Sequence, residues 1–345
     1  MENSNLFDSV LALVQDKKWA AVKQILSEQE AVDIADCLIE LWDDEGIGDD
    51  TLALLFRVLP KELAAEVFSE LDSDLIEVLV RSFSDSELRA VMSELFVDDA
   101  VDIIEEMPAN AVSRILQAVD ADTRKTINAL LNYPDSSAGS IMTTEYVSLR
   151  PDMTVREAFD RIRQTGLDKE TVYTCYVLGE GRRLVGLVSV KDLLLASYEQ
   201  TVDSIMESNV ISASTVSDRE EVALTLSRYG FLALPIVDGE NRLVGIVTVD
   251  DAIDVLQEET TEDLEKMSAI TPSERPYTRT GVMSLFMSRI PWLMLLMLSA
   301  TFTGMIITSF EDALAAQVAL TAFIPMLMST AGNSGGQSSV TVLRS

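Results

Sequence analysis

The sequence contains no histidine, which excludes imidazole acid–base catalysis and histidine metal sites. It has only two cysteines, Cys37 and Cys175, far apart and in apolar surroundings. A disulfide framework is therefore not expected, and a reducing cytosol fits. Basic residues are scarce, 26 against 57 acids, for a net charge of −31. That balance argues against nucleic acid and against surface binding to anionic lipid, and it favours cations as partners. There is no P-loop and no nucleophile paired with a base, so an enzyme is not expected. The first residues, MENSNLFDS, are acidic and polar and are not expected to form a signal peptide.

The acids are unevenly placed. Beyond Glu274 only Glu311 and Asp312 remain, beside arginines 275, 279, 289 and 344. A strongly acidic portion is thus followed by a nearly uncharged, apolar one.

Residues 5–131 predict helix after short helix, with apolar residues recurring at three and four in LPKELAAEVFSEL, SDSELRAVMSEL, VDDAVDIIEEM and ANAVSRILQAV. Breaks are expected at Pro60, Ser73, Ser84, Pro108 and Asp120, several of them good N-caps. Such helices cannot bury a face alone and should stack into a superhelix. An irregular helical bundle is the competing arrangement.

A β-α-β-β-α pattern then runs twice. The phrase RLVGLVSVKDLL (183–194) returns as RLVGIVTVDDAI (242–253), and Ile141–Val147 is echoed by Ile205–Val210. Val249–Met267 predicts one helix on which Asp250, Asp254, Glu258 and Glu262 form a column. Glu259 and Asp263 begin a second column, and Asp251 lies one turn behind Asp254. Like charges four apart cost a helix roughly 0.2–0.5 kcal/mol per pair, and a divalent cation would relieve that. Ile290 to Phe310 carries no charge over 21 residues, enough for a bilayer core of roughly 30 Å. A second apolar segment runs from 313 to about 332, which predicts a hairpin with the acidic loop outside and both ends in the cytoplasm. Its polar continuation STAGNSGGQSS (329–339) is expected as irregular backbone lining a hydrated path. A small-residue helix contact is the alternative.

The paired G-h-h-[ST]-x-x-D phrases, with h-P-h-h-D in the second copy, resemble CBS domains, which often bind adenine nucleotides such as ATP. By that resemblance Ser189 with Asp192 and Thr248 with Asp251 would hold a ribose, and Phe231 and Pro235 would flank the base. Helix capping by the same residues is the alternative. The domain order, with Pro325–Gln337 reading P-x6-G-N-x-G-x-Q, resembles the MgtE family of magnesium transporters over essentially the whole chain. The fold implied is multidomain. An all-α superhelical N domain (1–132) precedes an α/β CBS pair (138–200 and 201–257) and an acidic plug helix (250–270). A linker (271–285) then leads to membrane helices (286–345), two of the family's five.

The resemblance further implies a homodimeric, multi-pass Mg²⁺ channel of the cell (inner) membrane, with its N-terminal domains in the cytoplasm. Mg²⁺ bound there at high internal concentration would close the pore. The implied metal residues are Glu66, Asp98, Asp102, Asp218, Glu220, Asp251, Asp254, Glu259, Glu262 and Asp263. The implied pore residues are Pro325, Gly332, Asn333, Gly335 and Gln337. Gly230 stands where family members can carry an acid, and the family's pore acid belongs to a later helix. A CBS nucleotide sensor with the hairpin as a simple anchor is the competing function.

Overall fold

The computed structural model describes residues 3–43, 47–268, 270–272 and 280–343. Part of the expected linker, with Arg275, Arg279 and Arg344, lies outside the described residues. The chain forms two compact units, Met1–Ile253 and Asp254–Ser345.

The first unit begins with ten helices among the described residues. They are α1 (Asn3–Gln15), α2 (Trp19–Leu26), α3 (Ala31–Asp43), α4 (Asp49–Arg57), α5 (Lys61–Ser69), α6 (Ser73–Ser82), α7 (Asp85–Met92), α8 (Val97–Glu106), α9 (Ala109–Ala118) and α10 (Ala121–Leu130). From α5 onward each helix starts twelve residues after the last. Pro60, Asp72, Ser84, Pro108 and Asp120 stand at N-cap positions. Ser84 and Glu87 close a capping box, and the Asp120 carboxylate accepts from the N–H groups of Asp122 and Thr123. Each satisfies helix N–H groups that lack a partner within the helix.

Along α3, α5, α7 and α9, and along α4, α6, α8 and α10, each helix packs on the next but one. This is the expected superhelix rather than an irregular bundle. Its core holds Phe56, Phe68 and Phe83, with ring centroids 5.3 to 6.4 Å apart. Arg114 of α9 ties the stack together by donating to the Val80 and Phe83 carbonyls and to Asp85.

Two three-stranded sheets follow. β1 (Tyr146–Leu149), α11 (Val155–Thr165), β2 (Thr171–Leu178), β3 (Leu184–Ser189) and α12 (Val190–Leu195) make the first copy. After α13 (Val202–Ile205), the second copy is β4 (Ala213–Ser214), α14 (Arg219–Tyr229), β5 (Ala233–Val237), β6 (Leu243–Thr248) and α15 (Val249–Met267). In each sheet the first strand pairs parallel and the third antiparallel to the middle one. The copies interlock. A Cβ on Gly245 would lie 2.6 Å from the Thr143 carbonyl oxygen, and one on Gly186 would lie 3.0 Å from that of Glu207. The leading segment of each copy therefore crosses the glycine of the other, which explains the glycine in the repeated phrase. Tyr146, Tyr176, Leu184, Ala233, Leu243 and Ile246 pack between them.

In the second unit α16 (Val282–Ser309) contains an 18-residue stretch with a mean hydropathy of 1.9 and is the one helix among the described residues long and apolar enough to cross a membrane. The second apolar segment departs from expectation. It divides into α17 (Glu311–Ala316) and α18 (Ala319–Leu343), and α18 runs straight through the polar stretch expected to be irregular. Glycine weakens a helix by about 1 kcal/mol without forbidding it. Here Thr330, Ser338 and Thr341 return their hydroxyls to carbonyls four residues back, so their polar groups are satisfied within the helix.

Candidate functional site

The acids meet where α8 faces the CBS pair, inside the first unit. Phe96 at the N-cap of α8 offers no side-chain cap. Instead Glu145, just ahead of β1, accepts the Val97 N–H at 3.1 Å. An acceptor brought from another domain thus closes the helix N-terminus, where a carboxylate is favoured by the aligned peptide dipoles. Thr143, two residues earlier, exchanges both backbone hydrogen bonds with Ile246 of β6, at 2.8 and 2.9 Å. The Glu145 carbonyl accepts the Glu170 N–H at 2.9 Å, which pins Glu170 at the start of β2. β6 leads directly into α15 and Asp251. Three elements distant in sequence are thereby gathered by ordinary backbone pairing.

The result is electrostatically uphill. Asp98 is only 8% exposed, and its Oδ1 is buried with no hydrogen-bond partner. Burial, then the charges of Asp251, Asp99, Glu170 and Glu145, push its carboxyl well above the usual range. Burial followed by Asp251 likewise pushes Asp99 and Glu170 up to about 7. The Glu170 Oε2 is also buried and unpartnered. Among the described residues no three acids converge closely enough to hold an ion unaided.

Of the other expected metal residues, Glu66 and Asp102 are exposed on α5 and α8. Asp218 is the N-cap of α14, accepting the Glu220 N–H at 2.9 Å, and Glu220 is exposed. Asp254, Glu259, Glu262 and Asp263 belong to the second unit. The acid column of α15 is partly relieved from within, because Lys266 pairs with Glu262 one turn on. Gly230 closes α14 at φ 66°, a left-handed conformation that costs other residues roughly 1–2 kcal/mol. The local backbone therefore favours glycine over the family's acid there. Asp99, Glu145 and Glu170 were missed by sequence reasoning. The paired acids of VDDAVD were a signal for Asp99, whereas Glu145 and Glu170 precede strands with nothing local to mark them.

The expected ribose pairs exist as hydrogen-bonded pairs. The Ser189 hydroxyl donates to Asp192 at 2.5 Å and completes a capping box on α12, and Asp192 is exposed. The Thr248 hydroxyl donates to Asp251, whose charge acts on Asp98 and Asp99 of α8. Phe231 is half-buried and stacked on Tyr229 with centroids 5.3 Å apart. Pro235 is buried in β5 opposite Ile246. On α18, Asn333 and Gln337 are four apart and share a face, and Pro325, Gly332 and Gly335 lie on the same helix. Both cysteines are buried thiols pushed up to about 12 chiefly by burial, which removes them as nucleophiles.

Residues 29–136 match the family described as MgtE intracellular N domain, and residues 138–199 and 202–258 match the CBS domain. The magnesium transporter MgtE of Thermus thermophilus is 36% identical over 97% of this chain and 74% of its own length. The Bacillus subtilis protein of the same name is 33% identical over 100% of this chain and 74% of its own. A crystal structure of the cytosolic domain of the Mg²⁺ channel MgtE in complex with ATP superposes with a TM-score of 0.66. It is 36% identical and covers 72% of this chain and 99% of that one. The soluble part of a magnesium transporter gives 0.67 at 27% identity, over 74% and 99% of the two chains. Taken with the stacked helices, the interlocked CBS pair and the apolar helix beyond it, these likenesses show that the chain belongs to the MgtE family of magnesium transporters, which are not enzymes.

Proposed function

We propose that this chain is a subunit of a homodimeric, multi-pass Mg²⁺ channel whose N-terminal unit senses Mg²⁺ on the cytoplasmic side and closes the pore when it binds. The observation that carries the reading is the buried, unpartnered oxygen of Asp98 within a ring of like charge. Burial first, then the charge of Asp251, pushes Asp99 from 3.8 up to about 7, so a cation placed here would relieve like-charge repulsion that the protein itself leaves uncompensated. Mg²⁺ suits this cluster, because that ion binds through one or two carboxylates and keeps several waters. Spaced acids can then share it without converging. Asp251 opens α15, so ion binding would bear directly on the helix that leads to the membrane. The α15 acids Asp254, Glu259, Glu262 and Asp263 would add weaker sites of the same kind, and α16 would cross the membrane.

Limited proteolysis of residues 1–275 across a Mg²⁺ titration tests this. Protection is expected at millimolar Mg²⁺ and should shift to higher concentration in Asp98→Asn and Asp251→Asn; unchanged titrations would refute it. A nucleotide role is a second reading, favoured by the exposed Ser189–Asp192 pair. Calorimetry with ATP should show affinity lost in Asp192→Ala, and equal affinities would remove that site.

A further inference from the structure

We propose that Glu170, from the first CBS copy, is a further acid of the cation site formed by Asp98 and Asp251, reaching a hydrated divalent ion through its waters. This rests on the sensing reading above and adds to it the first CBS copy as a third party. Glu170 is held in place, since its N–H donates to the Glu145 carbonyl at 2.9 Å. Its Oε2 is buried with no donor, as is the Oδ1 of Asp98. No ion pair among the described residues reaches it.

Its neighbour Glu145 has a different explanation. That carboxylate accepts the Val97 N–H and closes α8, so Glu145 is a positioning residue that needs no ion. Glu170 has no such role. A buried oxygen left without a partner is unfavourable, and more so when charged. The charges that act on it most strongly, Asp251, Asp99, Asp250 and Glu145, are all negative. Because among the described residues no three acids close on a bare ion, the ligand that fits brings its own donors. A hydrated Mg²⁺ supplies positive charge and water O–H groups to both orphan oxygens at once. The site so completed joins α8, the start of β2 and the start of α15, so one ion would register the N domain against both CBS copies.

The test uses the full chain in detergent, with proteolytic protection titrated against Mg²⁺ at constant ionic strength. The variants are Glu170→Gln, Asp98→Asn and Glu145→Gln. Glu170→Gln should raise the Mg²⁺ midpoint about tenfold, as loss of outer-shell partners does at other metal sites. Its melting temperature without Mg²⁺ should equal or exceed that of the wild type, because the change removes a like charge. Glu145→Gln keeps an oxygen to accept the Val97 N–H and should shift the midpoint less than Glu170→Gln. If Asp98→Asn moves the midpoint and Glu170→Gln stays within about twofold of wild type, Glu170 is not part of the site. If neither moves it, the sensing reading fails and the inference falls with it.

Discussion

Gly245→Ala should destabilise the first unit, and by more than Gly186→Ala, although the two glycines occupy equivalent places in the repeat. At Gly245 the new methyl would stand 2.6 Å from the Thr143 carbonyl oxygen and 2.9 Å from the Met142 sulfur. The carbonyl can step aside only by straining the paired hydrogen bonds that tie residue 143 to Ile246. At Gly186 the nearest atom is the Met206 sulfur at 2.6 Å, the flexible end of a side chain, with the Glu207 carbonyl at 3.0 Å. Overpacking costs typically 1–3 kcal/mol, and methionine adapts more cheaply than backbone. We therefore expect about 3 kcal/mol for Gly245→Ala and about 1 kcal/mol for Gly186→Ala. For a unit of this size each kcal/mol lowers Tm by roughly 2–4 °C. Thermal unfolding of residues 1–270, followed by circular dichroism, reads the difference. Gly245→Ala should also displace Thr143, and Glu145 with it, so its Mg²⁺ protection should weaken, whereas that of Gly186→Ala should not. Equal Tm losses for the two variants would refute the crossing argument.

Three further outcomes follow from the same packing. The Arg57 guanidinium, then the Ser84 N–H and hydroxyl, hold the Glu87 carboxyl down at about 2 from an ordinary 4.5. Its stabilising effect is therefore complete above pH 4.5 and lost as pH falls toward 2, so Glu87→Gln should flatten the acid limb of a stability–pH profile; an unchanged limb would show that Glu87 is not responsible. Arg114→Met removes the donor to two helix-end carbonyls and should cost about 1–3 kcal/mol, measured by urea midpoint at constant m. Gly230→Ala should cost about 1 kcal/mol through its left-handed φ, and Gly230→Asn less, read from the same titration.

Local chemistry made most of the architecture legible. The twelve-residue rhythm of caps and apolar faces determined the short stacked helices, because helix starts and buried stripes depend on neighbours three and four residues away. The doubled phrase determined two interlocking α/β copies, and the uncharged run Ile290–Phe310 determined an apolar helix. The conformation of residues 329–339 was not legible. Their glycines and hydroxyls suit irregular backbone as well as helix, and the structure shows helix, with the Thr330 and Ser338 hydroxyls returned to its own carbonyls. Nor could the sequence separate Asp98 from Asp102, one turn apart in the same helix, of which folding buries the first and exposes the second. Glu145 and Glu170 lay beyond local reasoning altogether. They reach α8 and Asp251 only because Thr143 pairs with Ile246 across a hundred residues of chain. The sequence by itself determined that this protein is acidic and modular. Only the tertiary structure decided which acids repel one another in a buried place, since repulsion depends on distance and burial, which a list of residues does not contain.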